Sequence, residues 1–137
     1  MDWIYGVDRD AVLLPIQIPR LYHKDMLPFE ITATEAAQLL QRAQQSEKPG
    51  FVLLDVRERK EIQIARVPGA LWIPMGEIPS RLHELDPDAH IATLCHSGVR
   101  SMNVAVWLRD QGFENVQSVR GGIDAWSQTV DPGIPRY

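Results

Sequence analysis

The spacing of apolar positions changes several times along the chain, and each change predicts an element. Ala36, Leu39, Leu40 and Ala43 recur at helical spacing behind Thr32 and Glu35, whose separation suits a capping box, so a helix is predicted from about Ala33 to Gln45. Lys48-Pro49-Gly50 ends it. Phe51 to Val56 is a continuous apolar run broken only by Asp55, the pattern of a strand covered on both faces. A short charged helix over Arg57 to Glu61, a turn at Pro68-Gly69, a strand over Ala70 to Ile73 and a helix from Pro79 to Leu85 follow. His90 to Leu94 is a third strand, ending at Cys95. Ser101 to Gln111 reads as a helix stopped by Gly112 in a left-handed cap, Asn115 to Arg120 as a fourth strand, and Ile123 to Ser127 as a last helical turn behind Gly121-Gly122. Strands and helices in alternation predict an α/β fold, with a largely parallel sheet flanked by helices.

Residues 1 to 28 break this rhythm. Trp3, Tyr5, Pro15, Pro19 and Pro28 fall in a poorly periodic run, read as an arm packed on a single domain of residues 29 to 137. A length of 137 residues with 45% hydrophobic and 23% charged positions suits one ordinary globular core. The net charge of -4 is spread without a basic block, which argues against nucleic acid or an anionic membrane as partner. No apolar stretch approaches the roughly 20 residues of a membrane span, and Met1-Asp2 is not the cationic start of a secretion signal, so a cytoplasmic protein is expected.

Composition also isolates one candidate chemistry. Cys95 is the only cysteine, so it can form no internal disulfide and no thiolate cluster, and the four histidines show no metal-ligand spacing. A lone cysteine is usually a small buried apolar residue. Its position argues otherwise, because sites in such sheets form beyond the carboxyl ends of strands. The segment Cys95-His96-Ser97-Gly98-Val99-Arg100-Ser101 runs from a strand end to a helix start in so few residues that its amides must converge on a small concavity. A thiolate at the mouth of that concavity gains from helix-end amides, each such interaction being worth about 0.3 to 1 kcal/mol when exposed and up to about 2 when partly buried. Gly98 permits the backbone turn, and Arg100 offers a planar fork to an oxyanion. Taken singly, Arg100 is a surface cation, Ser101 a helix cap and His96 a solvated loop residue; their order is what points to a nucleophile.

At these residues the chain resembles the rhodanese-like single-domain sulfurtransferases. The resemblance is carried by Leu53-Leu54-Asp55-Val56-Arg57-Glu58 with Glu61, by Val67-Pro68-Gly69-Ala70, by Ile73-Pro74-Met75, by the loop from Cys95 to Ser101, and by Gly112-Phe113 to Gly121-Gly122-Ile123-Asp124-Ala125-Trp126. It implies a rhodanese-like fold, with Cys95 carrying a persulfide and His96, Ser97, Gly98, Val99, Arg100 and Ser101 as its binding cradle. The expected reaction moves a sulfane sulfur from a donor such as thiosulfate to cyanide, a thiol or a protein acceptor, with no metal or organic cofactor. Arg100 is expected to stabilise the departing oxyanion, and the hydroxyls of Ser97 and Ser101 to add hydrogen bonds. Where many relatives have Gly-His, this chain has Ala65-Arg66, which bears on donor preference rather than on Cys95.

Two rivals remain. A phosphatase or arsenate reductase also has Cys, loop and Arg, but its signature places five residues between them and this chain four. A non-catalytic rhodanese-like binding module is the other, although Cys95 and Arg100 are both retained. All of the enzymatic reading requires a thiol that is ionised and not sealed in the core. Outside the loop, Asp55 is expected to bond amides near the site, Arg57 and Glu61 to form an exposed i, i+4 ion pair, and residues 130 to 137 to close the domain as an extended strap without chemistry.

Overall fold

The computed structural model describes residues 26–47 and 50–137; most of the expected N-terminal arm and the Lys48-Pro49 break lie outside the described residues. Five strands, β1 (Glu30–Ile31), β2 (Phe51–Asp55), β3 (Leu71–Trp72), β4 (His90–Leu94) and β5 (Val116–Val119), form one sheet in the order β1-β5-β4-β2-β3. Every pairing is parallel. Four α-helices accompany them: α1 (Ala33–Gln44), α2 (Arg59–Ile64), α3 (Val99–Asp110) and α4 (Gly122–Thr129). The parallel α/β architecture is the one the alternation predicts. None of the described helices is long and apolar enough to cross a membrane.

The apolar runs are explained by two-sided burial. Leu53, Ala92, Leu94 and Val119 pack with Ala36 and Leu40 of α1 and with Ile123 and Trp126 of α4. Leu54, Val56, Ile91 and Val116 point the other way, against Val104, Ala105 and Leu108 of α3. Each buried side chain of this size contributes about 1.5–3 kcal/mol relative to exposure, so both faces favour the sheet. The capping box at α1 forms as predicted, with the Glu35 amide donating to Thr32 Oγ1 at 3.1 Å and the Thr32 amide donating to Glu35 Oε1 at 3.2 Å. Gly112 adopts φ +99° after α3, the left-handed stop expected of it.

Several boundaries differ from expectation. The two-residue β1 was not predicted, being too short to leave a periodic pattern; β5 holds it at the sheet edge. The expected strand over residues 70–73 contracts to Leu71–Trp72. Residues 79–84 form a 3-10 segment rather than an α-helix, broken at Arg81, where φ is -116°. The predicted helix over 57–61 begins only at Arg59, with Glu58 as its N-cap, and α3 starts two residues before the expected Ser101. Both shifts change the site.

Candidate active site

β4 delivers Cys95 to the carboxyl end of the central strand, and α3 leaves immediately beyond it. The intervening loop turns on Gly98, whose φ of +113° is unfavourable for a residue with a side chain. That turn aims amides inward: the backbone N–H of Gly98 and of Ser101 donate to Cys95 Sγ at 3.1 and 3.3 Å. Ser101 Oγ lies 3.3 Å from the same sulfur. Two backbone donors thus converge on the sulfur, which itself donates to Ser101 Oγ; amides so placed are also able to hold a thiolate or a sulfur attached to it.

The thiol is on the floor of the loop rather than at its mouth. Cys95 is only 1% exposed and belongs to the apolar cluster under α3. Val99, 70% exposed, and Ser97 lie on the outside of the loop, and Ser97 makes no hydrogen bond to Sγ itself.

Arg100 does not present a free fork. Its two terminal nitrogens donate to the two carboxylate oxygens of Glu61 at 2.7 and 2.8 Å, a bidentate pair. The hydrogen bonds to Glu61 hold the guanidinium more firmly protonated. Glu61 is therefore not the exposed partner of Arg57. Because α2 begins at Arg59, residues 57 and 61 do not stand on one helical face, and Arg57 turns inward instead.

Arg57 is fully buried. Its guanidinium grips Asp55 through contacts of 2.7 to 3.2 Å and also donates to the carbonyls of Ala65 at 2.8 Å and Glu61 at 3.4 Å, closing the end of α2. Asp55 thus serves Arg57 and its amide, not the amides of the Cys95 loop. The scaffolding role expected of the three residues holds, by different contacts.

The C-terminal strap reaches this network. Tyr137 donates to Glu61 Oε2 at 2.8 Å, accepts from Arg57 at 3.0 Å, and stacks on the His96 ring with centroids 4.2 Å apart. Burial, together with the bond to Glu61, outweighs Arg57 and pushes the Tyr137 phenol up to about 12, so it stays a donor at neutral pH. His96 is accordingly a packed residue at the rim, not a solvated one. No pattern in residues 130 to 137 announced this contact; it depends on where the chain returns.

Arg100, against the opposing effect of burial, pulls the Glu61 carboxyl down to about 2. An unfolded glutamate titrates near about 4.3. The pair's contribution is therefore present above that value and lost as pH falls towards about 2. Discounted because the Arg100 side chain is 32% exposed, it amounts to about 1–2 kcal/mol. Glu61→Gln should lose that much at neutral pH and show a flatter acid decline between about pH 4.5 and 2. Urea unfolding at pH 7 and pH 3 checks this; identical pH sensitivity in the two proteins refutes it.

A glycine lets the next helix fasten the loop from the other side. α4 starts against its carbonyls, with the amides of Ile123 and Asp124 donating to Cys95 O at 2.8 Å and His96 O at 3.1 Å. Gly122 makes that approach possible, since its φ is +61° and a Cβ there would lie 2.4 Å from both carbonyl oxygens. Gly122→Ala should cost at least about 2 kcal/mol through strain and overpacking and should displace the loop. Urea midpoints and the Cys95 alkylation rate measure the two effects, and a wild-type value for both counts against this role.

Beneath the thiol, two buried hydroxyl residues that belong to no motif, Ser118 and Thr93, back Ser101. Ser118 Oγ is 2.7 Å from Ser101 Oγ, and Thr93 donates to the Ser101 carbonyl at 2.8 Å. Polar residues inside the otherwise apolar strands β4 and β5 were the available signal.

Comparison with known proteins agrees with this architecture. The rhodanese-like domain family matches residues 32–129. A putative sulfurtransferase, YtwF, of Bacillus subtilis is 39% identical over 76% of this chain and 98% of its own length. The chloroplastic rhodanese-like/PpiC domain-containing protein 12 of Arabidopsis thaliana is 45% identical over 62% of this chain, which spans 30% of that longer protein. Among solved structures, a rhodanese-like domain protein from Staphylococcus aureus superposes with a TM-score of 0.62 at 30% identity, covering 80% of this chain and 99% of that one. With a parallel sheet, a thiol at the end of its central strand and a family match over most of its length, the chain belongs to the rhodanese-like domain family.

Proposed function

We propose that this protein is a sulfurtransferase that carries a sulfane sulfur on Cys95, within a single functional domain of residues 29–137. The observation that carries the reading is the convergence of the Gly98 and Ser101 amides on Sγ, with the Ser101 hydroxyl 3.3 Å away. Relatives named as sulfurtransferases support it. In the first step the thiolate attacks the outer sulfur of thiosulfate, the bond to the sulfonate sulfur breaks with its electron pair, and sulfite leaves behind a Cys95 persulfide anion. In the second, cyanide or a thiolate attacks the terminal sulfur, the S–S bond breaks, and thiocyanate or a new persulfide departs as Cys95 returns to thiolate. Charge is conserved in both steps, and neither requires a metal or redox partner.

The residues divide the work. Gly98 and Ser101 hold the sulfur, Arg100 favours anionic donors through its field from its anchorage on Glu61, and His96, Ser97 and Val99 form the lip that a donor or protein acceptor meets. The loop length, four residues between Cys95 and Arg100, suits a sulfur atom rather than a tetrahedral phosphate.

The 1% exposure of Cys95 is the observation that favours a binding module instead. Incubation with thiosulfate followed by intact mass measurement separates the two readings. Transfer requires a gain of one sulfur atom, removed again by cyanide with release of thiocyanate. A free, unoxidised Cys95 with no added sulfur overturns the proposal in favour of the module, and phosphate release from a phosphoester without thiocyanate formation would assign the phosphatase chemistry.

A further inference from the structure

We infer that Ser118 is a positioning residue for Cys95, acting through Ser101; the inference rests on the reading of Cys95 as the nucleophile. Ser118 stands in β5, 1% exposed, on the face towards α3. Its Oγ lies 2.7 Å from Ser101 Oγ, which lies 3.3 Å from Cys95 Sγ, so two hydroxyls in series lead to the sulfur. The Thr93 hydroxyl meanwhile fixes the Ser101 carbonyl at 2.8 Å, leaving the Ser101 side chain little to do but turn its proton one way or the other.

The direction follows from counting donors. Among the described residues, Ser118 Oγ has no hydrogen-bond partner besides Ser101. If Sγ is a thiolate, Ser118 donates to Ser101 and Ser101 donates to the sulfur, and both hydroxyl protons are used. If Sγ carries a proton and donates it to Ser101, Ser101 must turn towards Ser118, whose own proton is then left without an acceptor in a buried site. That orphaned donor is costly, so the chain is polarised towards the anion.

The charged and titratable groups around the thiol lie elsewhere. They are Arg100 on α3, Glu61 on α2, Asp55 at the end of β2 and Arg57 beyond it, His96 in the loop, Tyr137 on the strap, Asp124 of α4 with its partner Arg136, and Arg120 after β5, paired with Glu30. None is a hydrogen-bond partner of Ser118 or Sγ. Removing the Ser118 hydroxyl therefore leaves the field of these groups in place.

The test is a double-mutant cycle on the full chain: wild type, Ser118→Ala, Ser101→Ala and the double variant, with Ser118→Thr as the hydroxyl-retaining control and thermal melting to verify folding. The thiolate ultraviolet absorbance is titrated, and sulfur loading from thiosulfate is timed at low and high pH. Ser118→Ala should raise the titration midpoint by about one pH unit, slow loading roughly tenfold below that midpoint, and leave the rate at alkaline pH near wild type. Ser118→Thr should restore the midpoint. In the Ser101→Ala background, loss of the Ser118 hydroxyl should add nothing. A Ser118→Ala curve that overlies wild type overturns the inference, as does a shift that persists when Ser101 is already alanine. The titration needs no donor: a wild type that takes up no sulfur sinks the proposed function, while a coupled shift in the cycle still supports the hydroxyl chain.

Discussion

Cys95→Ser should hold no added sulfur and transfer none, with the fold intact. The substituted oxygen would occupy the place where the Gly98 and Ser101 amides now meet Sγ at 3.1 and 3.3 Å, so the loop keeps its hydrogen bonds and stability should change little. The chemistry does not survive the exchange. Persulfide formation requires an anionic sulfur able to displace sulfite and form an S–S bond, and a hydroxyl offers neither the ionisation nor the bond. Intact mass after thiosulfate treatment and thiocyanate release both check this, and the expected signal is background in each. Residual loading in Cys95→Ser would end the assignment of Cys95, because the sequence has no second thiol to carry a persulfide and the added sulfur would have to be held in another way.

Arg57→Met should be the most destabilising of the substitutions considered, by about 3–5 kcal/mol, because it leaves the Asp55 carboxylate buried without its cation. Both partners are almost wholly inaccessible, with side-chain exposures of 0% and 1%. The loss is large against a total stability of about 5–15 kcal/mol for a domain of this kind and should lower the melting temperature by roughly 10 °C or more. It should also reach the sulfur site. Arg57 closes the end of α2 and holds Tyr137, while Glu61 of α2 anchors Arg100, so loosening one end loosens the cradle. Adding Asp55→Asn to the variant should recover part of the stability by removing the stranded charge. Chemical denaturation of the single and double variants measures both effects; a single variant as stable as wild type would show that the pair contributes nothing.

The two experiments address different links. Cys95→Ser separates chemistry from folding, whereas Arg57→Met shows how far the site's geometry depends on a buried ion pair two elements away. Glu61 joins them, since it receives Arg100 from α3 and Tyr137 from the strap.

Much of the architecture was legible in the order of residues. Two-sided strands betray themselves as unbroken apolar runs, and the α1 capping box and the Gly112 stop are local devices whose partners lie within a few residues. The Cys95 loop belongs to the same class, because a strand end, a glycine and a helix start within seven residues leave its amides little choice of direction. The expectations that failed were those about partners. Arg57 and Glu61 at i, i+4 read as an exposed helical pair until the helix proved to begin at Arg59, after which each found a different partner. Arg100, read as a free fork, is occupied by a carboxylate 39 residues earlier in the chain.

Local sequence thus determined the elements, their parallel alternation and the candidate nucleophile, since hydrophobic period and turn chemistry act over a few residues. Only the tertiary structure decided that the thiol lies beneath its loop, that Ser118 backs Ser101, that Gly122 lets α4 seat on the loop carbonyls, and that Tyr137 returns to stack on His96. Those contacts join residues far apart in sequence. They are set by sheet order and by the burial of charge and hydroxyls, and no spacing along the chain encodes either.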